Sequence, residues 1–339
     1  MTLNLVWFIL IVVLFSGFFL LEGFDYGVGT LMPFLDKREE KRTEVIMSIA
    51  PVWDGNEVWM ITAGGALFAA FPHVYSTMFS TFYLALFLML VALILRGVAF
   101  ELRGHKTDGN WQRIWDAAIC FGSAVPAILW GVAVTNLLRG LPIDANMVYQ
   151  GGFLDLLSVY SIVGGLTFFF VFAFHGAAFL TLRLTDHDLL ESARSLGVRM
   201  GLLAVIFFVA CLVLTYMETD LFLSTPAVIF MLITAVTFIV AWLRLRSGVA
   251  AGKSAFALSA VSIISVTVAF FLGLFPRLMV SSLNPEWSLT ITNAASTPYT
   301  LHIMTIAAGC LVPVVLIYQA WSYWIFRKRI TPEDAHKAH

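Results

Sequence analysis

The chain has 339 residues, of which 60% are hydrophobic and only 12% charged, and its mean hydropathy is +0.89. Soluble domains carry roughly 25% charged residues, so the composition excludes a soluble protein and describes an all-α polytopic membrane protein, one integral membrane domain across residues 1–339. A formal net charge of −1 argues against nucleic acid or a strongly anionic partner.

The chain opens M-T-L-N-L, without the basic n-region of a secretory signal, which predicts that the first apolar run is kept as a helix. Apolar stretches near the ~20 residues needed to cross ~30 Å of hydrocarbon recur nine times. Their cores are Leu3–Leu21, Pro51–Phe71, Thr77–Phe100, Ile114–Leu138, Val159–Leu182, Val198–Met217, Ala227–Leu243, Phe256–Phe275 and Leu301–Phe326. Between the first two, residues 36–48 alternate in charge and then turn apolar, predicting a short helix on the cytoplasmic surface. Its charge balance is that of a solvated face. The connections Leu138–Ser158 and Pro276–Thr300 are the longest on the opposite side and carry no ligand pattern.

Basic residues set the orientation. Seventeen of the 20 Lys and Arg fall on one side, including Lys37, Arg38, Lys41, Arg42 and the tail Arg327, Lys328, Arg329 and Lys337. The other side holds only Arg139 and Arg277, while Arg96 lies inside the third span. The positive-inside rule then places the N-terminus outside and the C-terminus in the cytoplasm. Trp111, Trp115, Trp242, Trp321 and Trp324 fall near the predicted cytoplasmic helix ends, where aromatic anchors belong.

The polar residues inside spans are the informative ones. A carboxylate at a membrane helix centre costs about 2.5–3.5 kcal/mol on insertion scales. Trp53–Trp59 nevertheless reads W-D-G-N-E-V-W, two acids and an amide (Trp53, Asp54, Gly55, Asn56, Glu57, Trp59) at the start of the second span. At ~1.5 Å per residue Asp54 is ~5 Å and Glu57 ~9 Å along that helix, on nearly one face. Glu22 and Asp25 fall near the cytoplasmic end of the first span and Arg96 about one turn before the end of the third. Five charged groups therefore share the cytoplasmic third. For Glu22 the plain reading is a tolerated interfacial charge. For Asp54 and Glu57, two acids against one arginine leave surplus negative charge that a shared proton would relieve, and such sites mark proton or ion routes. Arg96 is the counter-charge.

Other chemistry is poorly supported. Cys120, Cys211 and Cys310 sit singly in apolar runs, against a disulfide framework or a zinc site. Of seven histidines only His175 lies well inside a span; His73 and His302 are near outer ends, and His105, His187, His336 and His339 are cytoplasmic. A bis-histidine haem needs two imidazoles at similar depth, which His175 and His302 do not provide. Gly23, Gly27 and Gly29 have the G-x-x-x-G spacing of close helix packing, not a dinucleotide loop.

The stretches G-F-D-Y-G-V-G at Gly23–Gly29, P-V-W-D-G-N-E-V-W from Pro51, I-T-A-G-G-A-L-F-A-A-F-P at Ile61–Pro72 and R-G-V-A-F-E-L-R at Arg96–Arg103 together resemble subunit II of cytochrome bd-type quinol oxidases. L-F-P-R-L-M-V-S-S at Leu274–Ser282 and the W-x-Y-W-x-F-R-K-R-I-T ending extend the resemblance to the tail. It implies two four-helix bundles plus one peripheral helix in a bacterial cytoplasmic membrane. It also implies a complex that oxidises membrane quinol and reduces oxygen to water. No cofactor is then expected on this chain alone: haem b of two types, haem d and the quinol site belong to the partner, the haem-bearing subunit I. Some members of the family hold a structural quinone in this subunit, and small accessory subunits occur. Asp25 and Asp54 match the family's candidate proton-path acids, while the position of Glu57 can be glutamine. The rival reading is a proton- or ion-coupled secondary transporter using the same acidic layer, although W-D-G-N-E has no second copy in the other half.

Overall fold

The computed structural model describes residues 2–106 and 108–337, with side chains described up to residue 334. Of the residues assigned to the cytoplasmic side above, His339 and the side chains of His336 and Lys337 lie outside that description. The chain folds as α1 (Leu3–Leu35), α2 (Glu39–Ile49), α3 (Trp53–Ala70), α4 (Pro72–Thr81), α5 (Tyr83–Leu102), α6 (Gly109–Arg139), α7 (Val159–Arg183), α8 (His187–Glu218), α9 (Thr225–Ser247) and α10 (Gly252–Leu274). A small antiparallel hairpin, β1 (Arg277–Met279) and β2 (Leu289–Thr290), precedes α11 (Pro298–Ile325) and the short α12 (Pro332–Lys337).

Among the described residues eight helices are long and apolar enough to cross a membrane: α1, α5, α6, α7, α8, α9, α10 and α11. The remaining expected span, α3, has 18 residues, about 27 Å of helix, and its polar opening keeps it out of that set. Helices α7 to α10 pack in a ring, α7 on α8, α8 on α9, α9 on α10 and α10 on α7. A second group joins α1 to α3 and α6, and α6 to α5. Helix α11 stands outside both, touching α1 and α3 and burying only Leu301.

Two span boundaries differ from expectation. Helix α1 does not end near Leu21 but runs 33 residues to Leu35, because Glu22 and Asp25, which look like the polar end of a span, are buried rather than solvated. The third expected span is divided at Phe82 into α4 and α5.

Close approach of helices depends on small residues, since lipid tails give apolar side chains little reason to prefer each other. A Cβ on Gly27 would run into the backbone of Phe172 and Gly176, and one on Gly176 into that of Gly27. Gly23 likewise faces the Phe172 ring. These glycines bring α1 against α7. Asp25 within G-F-D-Y-G and Glu22 just before it are left to face α3 and α5 respectively.

The charges of α2 are not those of a solvated face. Glu44 is 1% exposed, and Lys41 Nζ donates to Glu44 at 2.8 Å and to Asp186 at 2.7 Å. Arg103, itself buried, donates to Asp116 at 2.6 Å and Glu39 at 2.9 Å, and Arg42 donates to Asp116 at 2.8 Å. Alternating charge in the sequence reflects partners on α5, α6 and the start of α8, too distant in the chain to be read from the segment itself.

Candidate functional site

The site is built on three consecutive membrane helices. Helix α1 contributes Glu22, Asp25 and Tyr26, α3 contributes Asn56 and Glu57, and α5 contributes Arg96. Glu22, Asp25, Asn56 and Arg96 are 0% exposed, so each needs a partner, because an unpaired buried charge costs several kcal/mol. Arg96 Nη1 donates to Glu22 Oε1 and, at 3.1 Å, to Glu57 Oε1. Its guanidinium carbon lies 5.0 Å from the Tyr26 ring centre and 5.6 Å from that of Phe100, contacts in which aromatic faces favour the cation.

Asp25 is held differently. Asn56 Nδ2 donates to Asp25 Oδ2 at 2.6 Å, and the Tyr323 hydroxyl donates to Asn56 Oδ1 at 2.7 Å. A relay of hydrogen bonds thus runs from α11 through α3 to α1. Five buried atoms of the cluster, Glu22 Oε2, Asp25 Oδ1, the Tyr26 hydroxyl and Arg96 Nε and Nη2, have no hydrogen-bond partner among the described residues. Buried polar groups are nearly always paired, so five such atoms on Glu22, Asp25, Tyr26 and Arg96 make this an unusually polar part of an apolar interior.

The other residues singled out from sequence are placed as follows. Asp54 is exposed, in the first turn of α3, with no hydrogen bond or ion pair among the described residues. It is therefore not part of the buried cluster, although it precedes Glu57 by one turn. Trp53 packs its ring 5.0 Å from Phe100, tying the start of α3 to α5. Trp59 donates to Gln319 at 2.8 Å, tying α3 to α11, and its ring fills the space beside Gly17. Gly55 is exposed, and a Cβ there would meet nothing within 4 Å. The structure thus joins Asp25, Asn56, Glu57 and Arg96 but sets Asp54 apart. Glu22, read from sequence as an interfacial charge, is instead the closest partner of Arg96.

Tyr323 was not foreseen as a site residue. Its signal, an aromatic near a cytoplasmic helix end, is the same as that of an anchor, and only its fold partner Asn56 distinguishes it. His175 is fully buried, with Nδ1 2.7 Å from Ser259 Oγ and Nε2 3.2 Å from the Leu20 carbonyl. With both ring nitrogens engaged it does not fit a haem ligand, and among the described residues no group of three His, Cys, Asp or Glu is arranged to hold a metal ion.

Comparison with known proteins gives one consistent result. The family model described as cytochrome bd terminal oxidase subunit II matches residues 3–326. The cytochrome bd ubiquinol oxidase subunit 2 of Bacillus subtilis (strain 168) is 41% identical over 339 residues, 98% of this chain and 98% of that protein. The cytochrome bd-I ubiquinol oxidase subunit 2 of Escherichia coli (strain K12) is 34% identical over 376 residues, 99% of this chain and 97% of that one. A chain from the structure of bd oxidase from Geobacillus thermodenitrificans matches with a TM-score of 0.77, covering 97% of this chain and 100% of that one. At 17% identity that last likeness speaks for the fold alone.

Proposed function

The chain belongs to the cytochrome bd terminal oxidase subunit II family, and from that premise we propose that it works as the haem-free second subunit of a quinol:oxygen oxidoreductase, packed against a larger haem-bearing subunit I and supplying it with cytoplasmic protons. It is a multi-pass protein of the bacterial plasma membrane. The haems, bound in the partner, supply the electron transfer from quinol to oxygen. A secondary transporter is not favoured, since the similarity to oxidase subunits covers the whole chain.

The observation that carries the proton role is a cluster of three carboxylates with one guanidinium: Glu22 and Glu57 pair with Arg96, and Asp25, fully buried, follows Glu22 by one turn of α1. With all three ionised the cluster would hold two uncompensated negative charges, with Glu22 and Asp25 fully buried and Glu57 only 18% exposed, which sites so poor in water tolerate badly. Retained protons remove that surplus, and a group that retains a proton in one state can release it in another. Intramembrane acids in such surroundings commonly serve proton routes.

In this reading Asp54, exposed at the cytoplasmic start of α3, collects the proton. Glu57 lies one turn deeper and shares the Arg96 cation with Glu22, so protonation of either acid strengthens the other's pairing. Asp25, oriented by Asn56 and Tyr323, keeps its Oδ1 unpartnered and able to carry a proton. Protons taken from inside, with those of quinol released outside, would build membrane potential without a pump. The test is Asp25→Asn in the assembled oxidase. Oxygen consumption should fall by on the order of 10²-fold, the effect of losing a positioned proton-transfer group, with haem spectra intact. Wild-type consumption would remove Asp25 from the route.

A further inference from the structure

A second polar site lies at the opposite end of the molecule. Arg139 and Arg277 are the only two basic residues that the charge count assigns to the outer side, and the structure brings both to one cleft. Arg139 ends α6 and Arg277 begins β1. The turn from α8 to α9 adds Glu218 and Asp220. The cleft encloses about 510 Å³. Below it an apolar groove of about 320 Å³ runs between α8 and α9, lined by Leu212, Val213, Val228, Leu232 and Ala235. Tyr216 and Phe222 line both spaces and make them continuous. Each volume falls in the ~300–1,000 Å³ range of small-molecule sites.

The charge of the cleft is balanced but not used up. Arg139 Nε pairs with Glu218 Oε2 at 2.7 Å, and Arg277 Nη2 with Asp220 Oδ2 at 2.7 Å. Both terminal nitrogens of Arg139, Nη1 of Arg277 and Oε1 of Glu218 have no partner among the described residues. The cleft therefore offers guanidinium donors and a carboxylate acceptor side by side, above a groove that takes alkyl chain. We propose that cleft and groove bind one outer-leaflet glycerophospholipid with a primary-ammonium headgroup, phosphatidylethanolamine in class. The phosphate lies against Arg139 and Arg277, the ammonium against Glu218 and Asp220, and one acyl chain in the α8–α9 groove. Charge complementarity selects this occupant. Two cations and two anions match a zwitterion rather than a net-negative headgroup, and carboxylates reward an ammonium that can donate hydrogen bonds.

The complete oxidase, purified in mild detergent and delipidated, is titrated with phosphatidylethanolamine, phosphatidylcholine and phosphatidylglycerol of identical chains, and bound lipid is counted by native mass spectrometry. Phosphatidylethanolamine should occupy one more site per complex than either competitor. Arg139→Gln should weaken that site about tenfold, the effect of one charge-assisted hydrogen bond. Leu232→Trp, which fills the groove and leaves every charged group in place, should also empty it, with the haem spectrum reporting intact assembly. Glycerophosphoethanolamine, the headgroup without chains, should not compete. The proposal is overturned if phosphatidylglycerol or phosphatidylcholine binds as well, if both variants keep the extra lipid, or if the free headgroup competes as strongly as the lipid.

Discussion

At the residue scale, Arg96 decides whether the acidic layer can exist. Removing one member of a buried ion pair costs about 3–5 kcal/mol, because the partner charge is left without compensation. Arg96→Met should accordingly lower the thermal midpoint of the assembled oxidase sharply, and adding Glu22→Gln to the same chain should recover part of the loss. A midpoint unchanged by Arg96→Met would mean that Glu22 and Glu57 are already uncharged. The exposed acid behaves differently. Asp54→Asn should slow oxygen consumption less than Asp25→Asn does, since surface water can still feed Glu57, and it should leave stability and haem spectra unchanged. Equal slowing by both variants would place Asp54 in series with Asp25 as an obligatory step. The sequence placed Glu22, Asp25, Asp54, Glu57 and Arg96 in one layer, because depth follows from counting residues along a helix. It could not say which acid meets Arg96. That depends on the rotation of each helix about its axis, and helices apolar on all sides give no amphipathic stripe from which to read it.

At the element scale, α11 is held to the rest by polar contacts rather than burial. Trp7 Nε1 donates to Thr305 at 3.0 Å, Trp59 to Gln319 at 2.8 Å, and Tyr323 to Asn56 at 2.7 Å. The last of these also orients Asn56 on Asp25. Tyr323→Phe leaves the buried Asn56 Oδ1 unpaired, a cost of about 1–3 kcal/mol. The variant should therefore both loosen α11, seen as faster amide exchange along Pro298–Ile325, and reduce turnover. Unchanged exchange and turnover would show that the tyrosine only caps the helix end. Nothing in the local pattern W-S-Y-W marks Tyr323 as different from its interfacial neighbours, and its partner is 267 residues away. The long α1 was hidden for a related reason. Glu22 and Asp25 carry the sequence mark of a helix leaving the membrane, and only their partners on α3 and α5 allow the helix to continue.

At the scale of the whole molecule, the end that carries α2 is bound by a lattice of ion pairs that also governs acid stability. Hydrogen bonds from Arg38 hold Asp36 down to about 2. Burial works against the charged form of Asp186, but its bonds from Lys41 and the Leu189 amide prevail and keep its carboxyl below the usual range. Lys41 is raised, burial being outweighed by its bonds to Asp186 and Glu44. Depressed carboxylates stabilise the fold above their unfolded values near 4, and that contribution is lost as pH falls through the folded ones. The raised lysine contributes below its unfolded value near 10.4 and ceases to as pH rises past its folded one. The thermal midpoint of the oxidase in lipid discs should thus be flat between about pH 5 and 9 with respect to these groups. It should fall below pH 4, and Lys41→Met should reduce the size of that fall. A fall of the same size in the variant would assign acid sensitivity to other carboxylates.

The proposed proton route runs inward from the cytoplasm through Asp25. The most direct measurement follows proton uptake with a pH indicator on the cytoplasmic side while the fully reduced oxidase reacts with oxygen. Asp25→Asn should take up protons far more slowly than the wild type, although the oxidase binds oxygen at the same rate. Uptake at the wild-type rate in that variant would contradict this route.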